Sequence, residues 1–589
     1  MTATVKNWFD RHGRVLAVVL LVVVGLVVYA NALPNKMFWD DDDSITNNVF
    51  VHDWHYIPQY FSRDLIAGSQ LLDNYWRPML LLVYSVEWHL WQGWSPGFHA
   101  VNVLCHIGDA VLLYFVLWRI FKDRRLAWLT ALIFLVHPLQ TEAVTYVAGL
   151  GDPLSVLFML IGIDQFLKWR ESGRPFWSSG RTWLVLAMYA LALMSKETAI
   201  VMPAYVVLAD VFRAGGGGQK EPGLGRRLKA AALAAIPFLV LAGVYLLLRA
   251  TVLNFLNTFN LYNETNAFTS HFSYRLFTFC RVLTIYAGLL FVPLGLHMER
   301  TVAVATSLLH WDVIVGALIF LGLLALACYS CRRRPVVAFG LFWIFAGLAP
   351  TSNLAVPING LIYEHWLYLP LVGAFLPLVW LGLRAARGLV SRGMLAAVYI
   401  VFVVWLLVLT MARNPVWHDP IVFYHDVLRY NQSSYRIYNN LGNAYSALRD
   451  AAAAGENYQQ AIALDPDNPV AYFNLANTLR DSGQIDQAIA DFQKAVELGP
   501  TVHFYANNLA ALYLQLGRRR DARQVLENYV AHAAYKNNAL LSLAVIAAQD
   551  KDFDGALRYL DQAAAADPSD ARVANLRQQV LQAQGQPSP

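Results

Sequence analysis

The sequence predicts an all-α chain in two parts, a polytopic membrane domain followed by a helical solenoid. Three observations carry that expectation. Of 589 residues, 57% are hydrophobic and only 14% charged, where a soluble domain carries roughly a quarter. Apolar runs of roughly 20 residues, the length that crosses a bilayer core, recur up to residue 412 and then stop. Beyond residue 413, Asn, Gln, Asp and Ala dominate, and matching positions return every 34 residues.

The first run, 15–32, follows Lys6, Arg11 and Arg14, so the excess of positive charge on the cytoplasmic side puts the N-terminus in the cytoplasm. The "YANA" at 29–32 has the look of a signal-peptidase site; cleavage there would leave the following loop in place. Basic clusters at 122–125, 168–174, 213–229, 332–334 and 384–392 mark the remaining cytoplasmic turns. Threading between them gives crossings near 97–121, 126–147, 153–169, 182–194, 197–213, 228–249, 311–331, 336–350, 366–383 and 394–412, eleven with the first. Segments 77–93 and 276–296 are apolar, but either one as a crossing would put an Arg cluster on the wrong side. Both are expected to lie in the outer interface. An odd number of crossings sends the C-terminal part outside, into the compartment of the first external loop, 34–96. The expected localisation is a multi-pass inner (cell) membrane protein with its soluble part periplasmic.

The net charge of +5 is small, and Lys and Arg sit in short clusters between apolar runs, a topological pattern and no nucleic-acid surface. Cys105, Cys280, Cys328 and Cys331 are too few and scattered for a disulfide framework.

In the tail, Asn440-Leu441, Asn474-Leu475 and Asn508-Leu509 are in step, as are Ala454, Ala488 and Ala522. A period of 34 is that of tetratricopeptide (TPR) hairpins, each burying its apolar face on the next. Residues 435–575 hold about four units behind a connector at 413–434, and 576–589 reads as a disordered tail. Stacked hairpins form a groove suited to an extended peptide, here with Asn440, Asn474 and Asn508 along it. By itself that array favours a membrane-anchored scaffold for an envelope or secretion complex.

Ionisable residues beside membrane segments are costly, and their default reading is functional. On the expected topology most gather at the outer ends: Asp40, Asp41, Asp42, Asp43, Arg77, Glu87, His99, His106, His137, Glu142, Asp152, Lys196, Glu197, Arg249, Arg275, Arg281, Arg300, Glu364 and His365. Any one of them could be an interfacial residue reaching water. Together they suit a site that handles both a nucleophile and an anion.

The ordered series "FWDDDDSITNN", "YWRPMLLLVYS", "FHAVNVLCH", "VHPLQTEAVTYVAGLGD", "SKETAIVMPAYVVLAD" and "YEHWLYLP", with repeats behind it, resembles the transmembrane-and-TPR protein O-mannosyltransferases and their bacterial relatives. The resemblance implies a GT-C-type helical domain that takes a sugar from a polyprenyl-phosphate carrier. It also implies that the acidic pair of the family motif falls on Asp40 and Asp41, with His137, Glu142, Lys196 and Glu197 at further family positions. Two departures touch the donor: Leu150 stands in "GLGD" and His365 in "EHWLY" where relatives commonly have Arg.

In such a transfer the acceptor hydroxyl needs a base, which a carboxylate supplies, while the lipid phosphate leaves as a stable anion and needs no acid. Direct displacement with one aspartate, Asp40 or Asp41, implies inversion. Lys196 and Arg249 first, then Arg77, Arg275, Arg300 and His365, are the candidates for the donor phosphate. His137, Glu142, Asp152, Glu197 and Glu364 are expected to support them. The one cofactor the run could hold is a divalent cation, Mg or Mn, at Asp40 and Asp41. A transferase acting on a glycan or lipid is the second enzymatic reading.

Overall fold

The computed structural model describes residues 3–214, 223–255, 266–358, 360–386, 391–533, 536–567 and 570–585. The chain divides into two compact units, Met1–Asp426 and Val427–Pro589, and the described residues are helical throughout, with no strand.

In the first unit the longer helices are α1 (Ala3–Tyr29), α2 (Pro78–Trp91), α3 (Ser95–Phe121), α4 (Arg124–Val136), α5 (Gly151–Ser172), α6 (Gly180–Ser195), α7 (Met202–Phe212), α8 (Leu224–Ala250), α9 (Phe272–Phe291), α10 (Trp311–Arg333), α11 (Pro335–Leu348), α12 (Pro370–Ala385) and α13 (Arg392–Arg413). Among the described residues, seven helices are long and apolar enough to cross a membrane, eight if a bent pair counts as one span. That pair is Arg124–Val136 with Pro138–Thr145, bent by 57°. The bend has a local cause: Pro138 biases His137 away from helical backbone, and His137 is extended at ψ 131°.

Five expected segments differ. Those at 182–194, 336–350 and 366–383, expected to cross, are apolar helices of 16, 14 and 16 residues that fall outside the seven. The stretch 276–296, expected in the interface, is the 20-residue helix α9, apolar enough to span. Its Arg281 is bonded through Nε to Asp312 at 2.6 Å, so the charge it carries is neutralised by α10. Gly316 of α10 lies so close to the Cys280 carbonyl that a Cβ there would collide, the small-residue contact that lets helices approach in membranes. The stretch 197–213, expected to cross, is a 3₁₀ turn (Glu197–Val201) and the 11-residue α7, about 17 Å of helix. Extended backbone at Lys196, φ −156° and ψ 137°, separates it from α6.

One buried amide gathers the segment ends around the aspartate loop. Asn414, fully buried, donates through Nδ2 to the Val28 carbonyl and to Asn31 Oδ1, both at 2.8 Å. Its Oδ1 accepts from Thr145 Oγ1 at 3.0 Å, and its carbonyl accepts from Asn35 Nδ2 at 3.0 Å. The ends of α1 and α13 and the short helix Thr141–Thr145 are thereby held together.

The second unit contains four helical hairpins: Tyr435–Ala447 with Ala451–Leu464, Pro469–Asp481 with Ile485–Leu498, His503–Gln515 with Arg519–His532, and Asn537–Gln549 with Phe553–Ala566. Ala454, Ala488, Ala522 and Ala556, one per hairpin, are all fully buried. Each hairpin turns on a left-handed residue at the same register: Arg449, Gly483, Gly517 and Lys551. The expected tail at 576–589 is corrected in part. A further helix, Ala571–Gln584, covers the last hairpin with Val573 and Val580 buried, and 586–589 lie outside the described residues. The connector is also partly helical, with a 3₁₀ turn at Asn414–Trp417 and a helix at Pro420–Leu428.

Replacing Asn414 with Leu strands several buried donors and acceptors and is expected to cost about 3 kcal/mol, read as a lower unfolding temperature of the full chain in detergent.

Candidate functional site

The aspartate run is folded back on itself directly after α1. Trp39 takes the left-handed conformation, φ 63°, and a π-helical turn follows over Asp42–Thr46. These two irregularities send neighbouring aspartates in different directions. Asp40 is exposed, with its backbone N–H donating to Tyr146 Oη at 2.9 Å. Asp41 is fully buried, its Oδ1 accepting from the Ala148 N–H at 2.7 Å and its Oδ2 from the Phe38 N–H at 3.1 Å. Burial pushes the Asp41 carboxyl well above its usual range, against those two hydrogen bonds, and Asp40 and Asp42 add to the rise. Asp43, half-buried beside Asp40 and Asp42, is pushed up to about 6.

The loop rests on an aromatic cradle within the same unit. Phe38 lies 5.3 Å from Phe423 and 6.4 Å from Trp417 between ring centroids, and Trp39 lies 5.8 Å from Tyr424. Lys36 adds an ion pair with Asp419 at 2.6 Å.

The basic candidates are each engaged. Arg77 forms a two-point ion pair with Glu197, Nε to Oε2 at 3.1 Å and Nη2 to Oε1 at 2.7 Å. Burial opposes charge on Glu197, but Arg77 and Lys196 together hold its carboxyl below the usual range. Lys196 Nζ lies 2.6 Å from Asp152 Oδ2. Because Lys196 and Glu197 are consecutive, these pairs form one ladder of alternating charge, Arg77–Glu197 and Lys196–Asp152. Arg249, expected to face the donor, instead binds the carbonyls of Leu253 and Asn74.

A second cluster surrounds "YEHWLY". The His365 backbone N–H and Nδ1 both meet Glu142, at 3.0 and 2.7 Å, while Glu364 Oε1 accepts from Arg300 Nη2 at 2.9 Å and from the His297 N–H at 2.8 Å. Burial and the neighbouring Glu142 push the Glu364 carboxyl up to about 7, with Arg300 opposing. Arg275 and Arg300 each keep a buried Nε without a partner among the described residues. His137 has no access to chemistry: the Leu139 N–H donates to its Nδ1, and its Nε2 reaches the Leu290 carbonyl at 3.1 Å. Its place is structural, at the helix break.

Residues 47–215 match the family described as Dolichyl-phosphate-mannose-protein mannosyltransferase, and 435–468, 457–490 and 507–571 match tetratricopeptide repeats. The chain is 27% identical over 511 residues to Protein O-mannosyl-transferase TMTC3 of Mus musculus, covering 82% of this chain and 55% of that one. To Protein O-mannosyl-transferase TMTC4 of Homo sapiens it is 25% identical over 477 residues, covering 73% and 64%. The chain is similar to the TMTC protein O-mannosyl-transferases over most of its length. It spans 55% to 64% of the length of these two relatives. Among solved structures, "YrrB: a TPR protein with an unusual peptide-binding site" aligns at 19% identity and TM-score 0.24, over 28% of this chain and 84% of that one.

The order of motifs shared with these O-mannosyl-transferases does not display several residues that the structure brings to the site. Tyr146 supports Asp40. Asp73, pushed up to about 7 by burial and by Asp64, and Asn74, whose side-chain amide is buried without partners among the described residues, stand just before Arg77. Tyr368 Oη donates to Asp109 Oδ2 at 2.8 Å, anchoring the chain three residues after His365. Asp73 and Asn74 had a readable signal, polar residues directly ahead of "YWRP"; Asp109 had none beyond being an acid in an apolar run. In the repeats, Asn474 Nδ2 donates to Asn439 Oδ1 at 3.0 Å and Asn508 Nδ2 to the Phe504 carbonyl at 2.8 Å. The expected row of asparagines is therefore already bonded within the array, with Asn440 half-buried beside Asn439.

The cation expectation at Asp40 and Asp41 does not fit. Asp41 is fully buried with a backbone N–H on each oxygen, which leaves Asp40 as the exposed carboxylate of the pair, short of the six to eight or octahedral oxygens of Ca or Mg. Among the described residues no group of three or more His, Cys, Asp or Glu is placed to hold a metal.

Glu364 sets a pH dependence of stability. Its folded pKa of about 7 exceeds the unfolded value near 4.3, so the folded chain binds the proton first and stability rises as pH falls from about 7 toward 4.3. Glu364→Gln should flatten that part of the profile, measured as unfolding temperature against pH in detergent.

Proposed function

We propose that the chain is a GT-C glycosyltransferase that moves a single hexose such as mannose from a polyprenyl-phosphate donor to Ser or Thr hydroxyls of exported proteins. The observation that carries this reading is the division of labour at 40–41: an exposed carboxylate held in a fixed backbone by a buried one. The printed names of the relatives, all protein O-mannosyl-transferases, support the reaction class, and the family matching 47–215 supports a lipid-phosphate mannose donor.

In the proposed step the acceptor oxygen attacks the anomeric carbon while its proton passes to Asp40. The bond from that carbon to the lipid phosphate breaks, and the phosphate leaves with the electron pair. One displacement inverts the anomeric centre. Asp41 does not meet substrate; it is a positioning residue that keeps Asp40 facing outward. Positive charge for the leaving phosphate comes from Lys196 and Arg77, with the unpartnered Nε donors of Arg275 and Arg300 as further candidates. The TPR hairpins are proposed to hold the acceptor polypeptide, on the extracytoplasmic side with the aspartate loop.

Asp40→Asn is expected to lower transfer by about 10²- to 10⁴-fold with unaltered expression and unfolding temperature, whereas Asp41→Asn should lower both activity and unfolding temperature. Full activity in Asp40→Asn, read by mass spectrometry of exported proteins for a hexose mass shift, would exclude Asp40 as the base. Deleting 435–585 should abolish protein glycosylation and spare donor binding; unaltered transfer would remove the acceptor role.

A further inference from the structure

The opposite end of the first unit contains a cleft that the proposed transfer does not use. Ser95, at the start of α3, bonds the Asn35 carbonyl beside the aspartate loop at 2.6 Å. Tyr114 stands 19 residues further along the same helix, about 30 Å away, the thickness of a hydrocarbon core. There α1, α3 and α4 enclose an open cleft of about 300 Å³ lined by Gly13, Ala17, Tyr114, Arg124, Trp128 and Leu129, with Arg125 beside them. Trp128 Nε1 donates to the Ala17 carbonyl at 3.0 Å and fixes one wall.

Charge bookkeeping at this end is uneven. Arg119 is paired with Asp164 and Glu171, Lys122 with Glu171, Lys168 with Asp164, and Arg170 and Arg213 with Asp210. Arg14, Arg124 and Arg125 have no carboxylate partner among the described residues. Asp123, the nearest acid in sequence to Arg124 and Arg125, is taken up in capping α4 through the Arg125 and Leu126 N–H groups. Arg124 of the lining and Arg14, next to Gly13 of the lining, instead each pack on Trp118, 4.8 Å from its ring centroid. The Tyr114 hydroxyl, on a fully buried residue that lines the cleft, has no hydrogen-bond partner among the described residues.

We propose that this cleft binds the phosphate headgroup of an anionic phospholipid. Arg14 and Arg124 supply the charge, and Tyr114 Oη donates a hydrogen bond. Basic recesses between membrane helices suit such headgroups, and guanidinium–phosphate contacts are strong, directional hydrogen bonds. What marks this cleft on the basic rim is the buried Tyr114 hydroxyl, without a partner among the described residues, in one lining with Arg124 and Arg125.

The test uses the full chain, delipidated in detergent and titrated with phosphatidylglycerol, with phosphatidylcholine of the same acyl chains, and with inorganic phosphate, reading bound lipid by native mass spectrometry. Phosphatidylglycerol should be retained over phosphatidylcholine. Arg14→Gln and Arg124→Gln should each weaken retention by about fivefold. Tyr114→Phe, which leaves topology-setting charges alone, should weaken it as well, and Lys122→Gln should have no effect. Equal retention of the two lipids, or unaltered retention in Tyr114→Phe and both arginine variants, would overturn the site. Displacement of lipid by inorganic phosphate would assign the cleft to a soluble anion and overturn the lipid.

Discussion

A carboxylate with both oxygens taken by backbone amides, that of Asp41, governs the geometry of the outer end of the first unit. It joins the turn after α1 to the segment before α5 through Phe38 and Ala148. Desolvating that group is costly unless it is bonded, so the loop has one arrangement in which the cost is met. In that arrangement Trp39 must turn left-handed, Tyr146 bonds the Asp40 backbone, and the Asp40 side chain faces out. The aromatic cradle from Trp417, Phe423 and Tyr424 then closes over Phe38 and Trp39.

Much of this was legible in the chain and some was not, for identifiable reasons. The repeat array was legible because stacking imposes a strict period on small buried residues such as Ala454 and Ala488, and on the turn residues Gly483 and Gly517. The aspartate motif was legible as a cluster, but which member is buried depends on Ala148, 107 residues away. Segment 276–296 was assigned to the interface because a crossing there would put an Arg cluster on the wrong side; the length of α9, which depends on where its helix starts and stops, and the pairing of its Arg281 with Asp312 on α10 are not displayed by the sequence. Arg249 looked like a phosphate ligand by position, yet carbonyls from two loops already occupy it. Sequence displays which side chains are charged; it does not display which charges cancel.

That cancellation recurs. The same architecture that pairs Arg77 with Glu197 and Lys196 with Asp152 leaves Arg14 and Arg124 stacked on an indole. Paired arginines lower the desolvation cost of charge near the apolar core, while an arginine on an indole keeps its donors facing outward.

At rest, the ladder of Arg77, Glu197, Lys196 and Asp152 is a zwitterion with no net charge. On the proposed function, a donor phosphate arriving there would not fill an empty electrostatic hole; it would exchange with a carboxylate already in place. The free energy of such an exchange is a difference between two similar contacts, small in size and steep in geometry. Such an exchange would hold the phosphate loosely and discriminate by shape over charge, and the paired ladder by itself stays neutral toward the membrane.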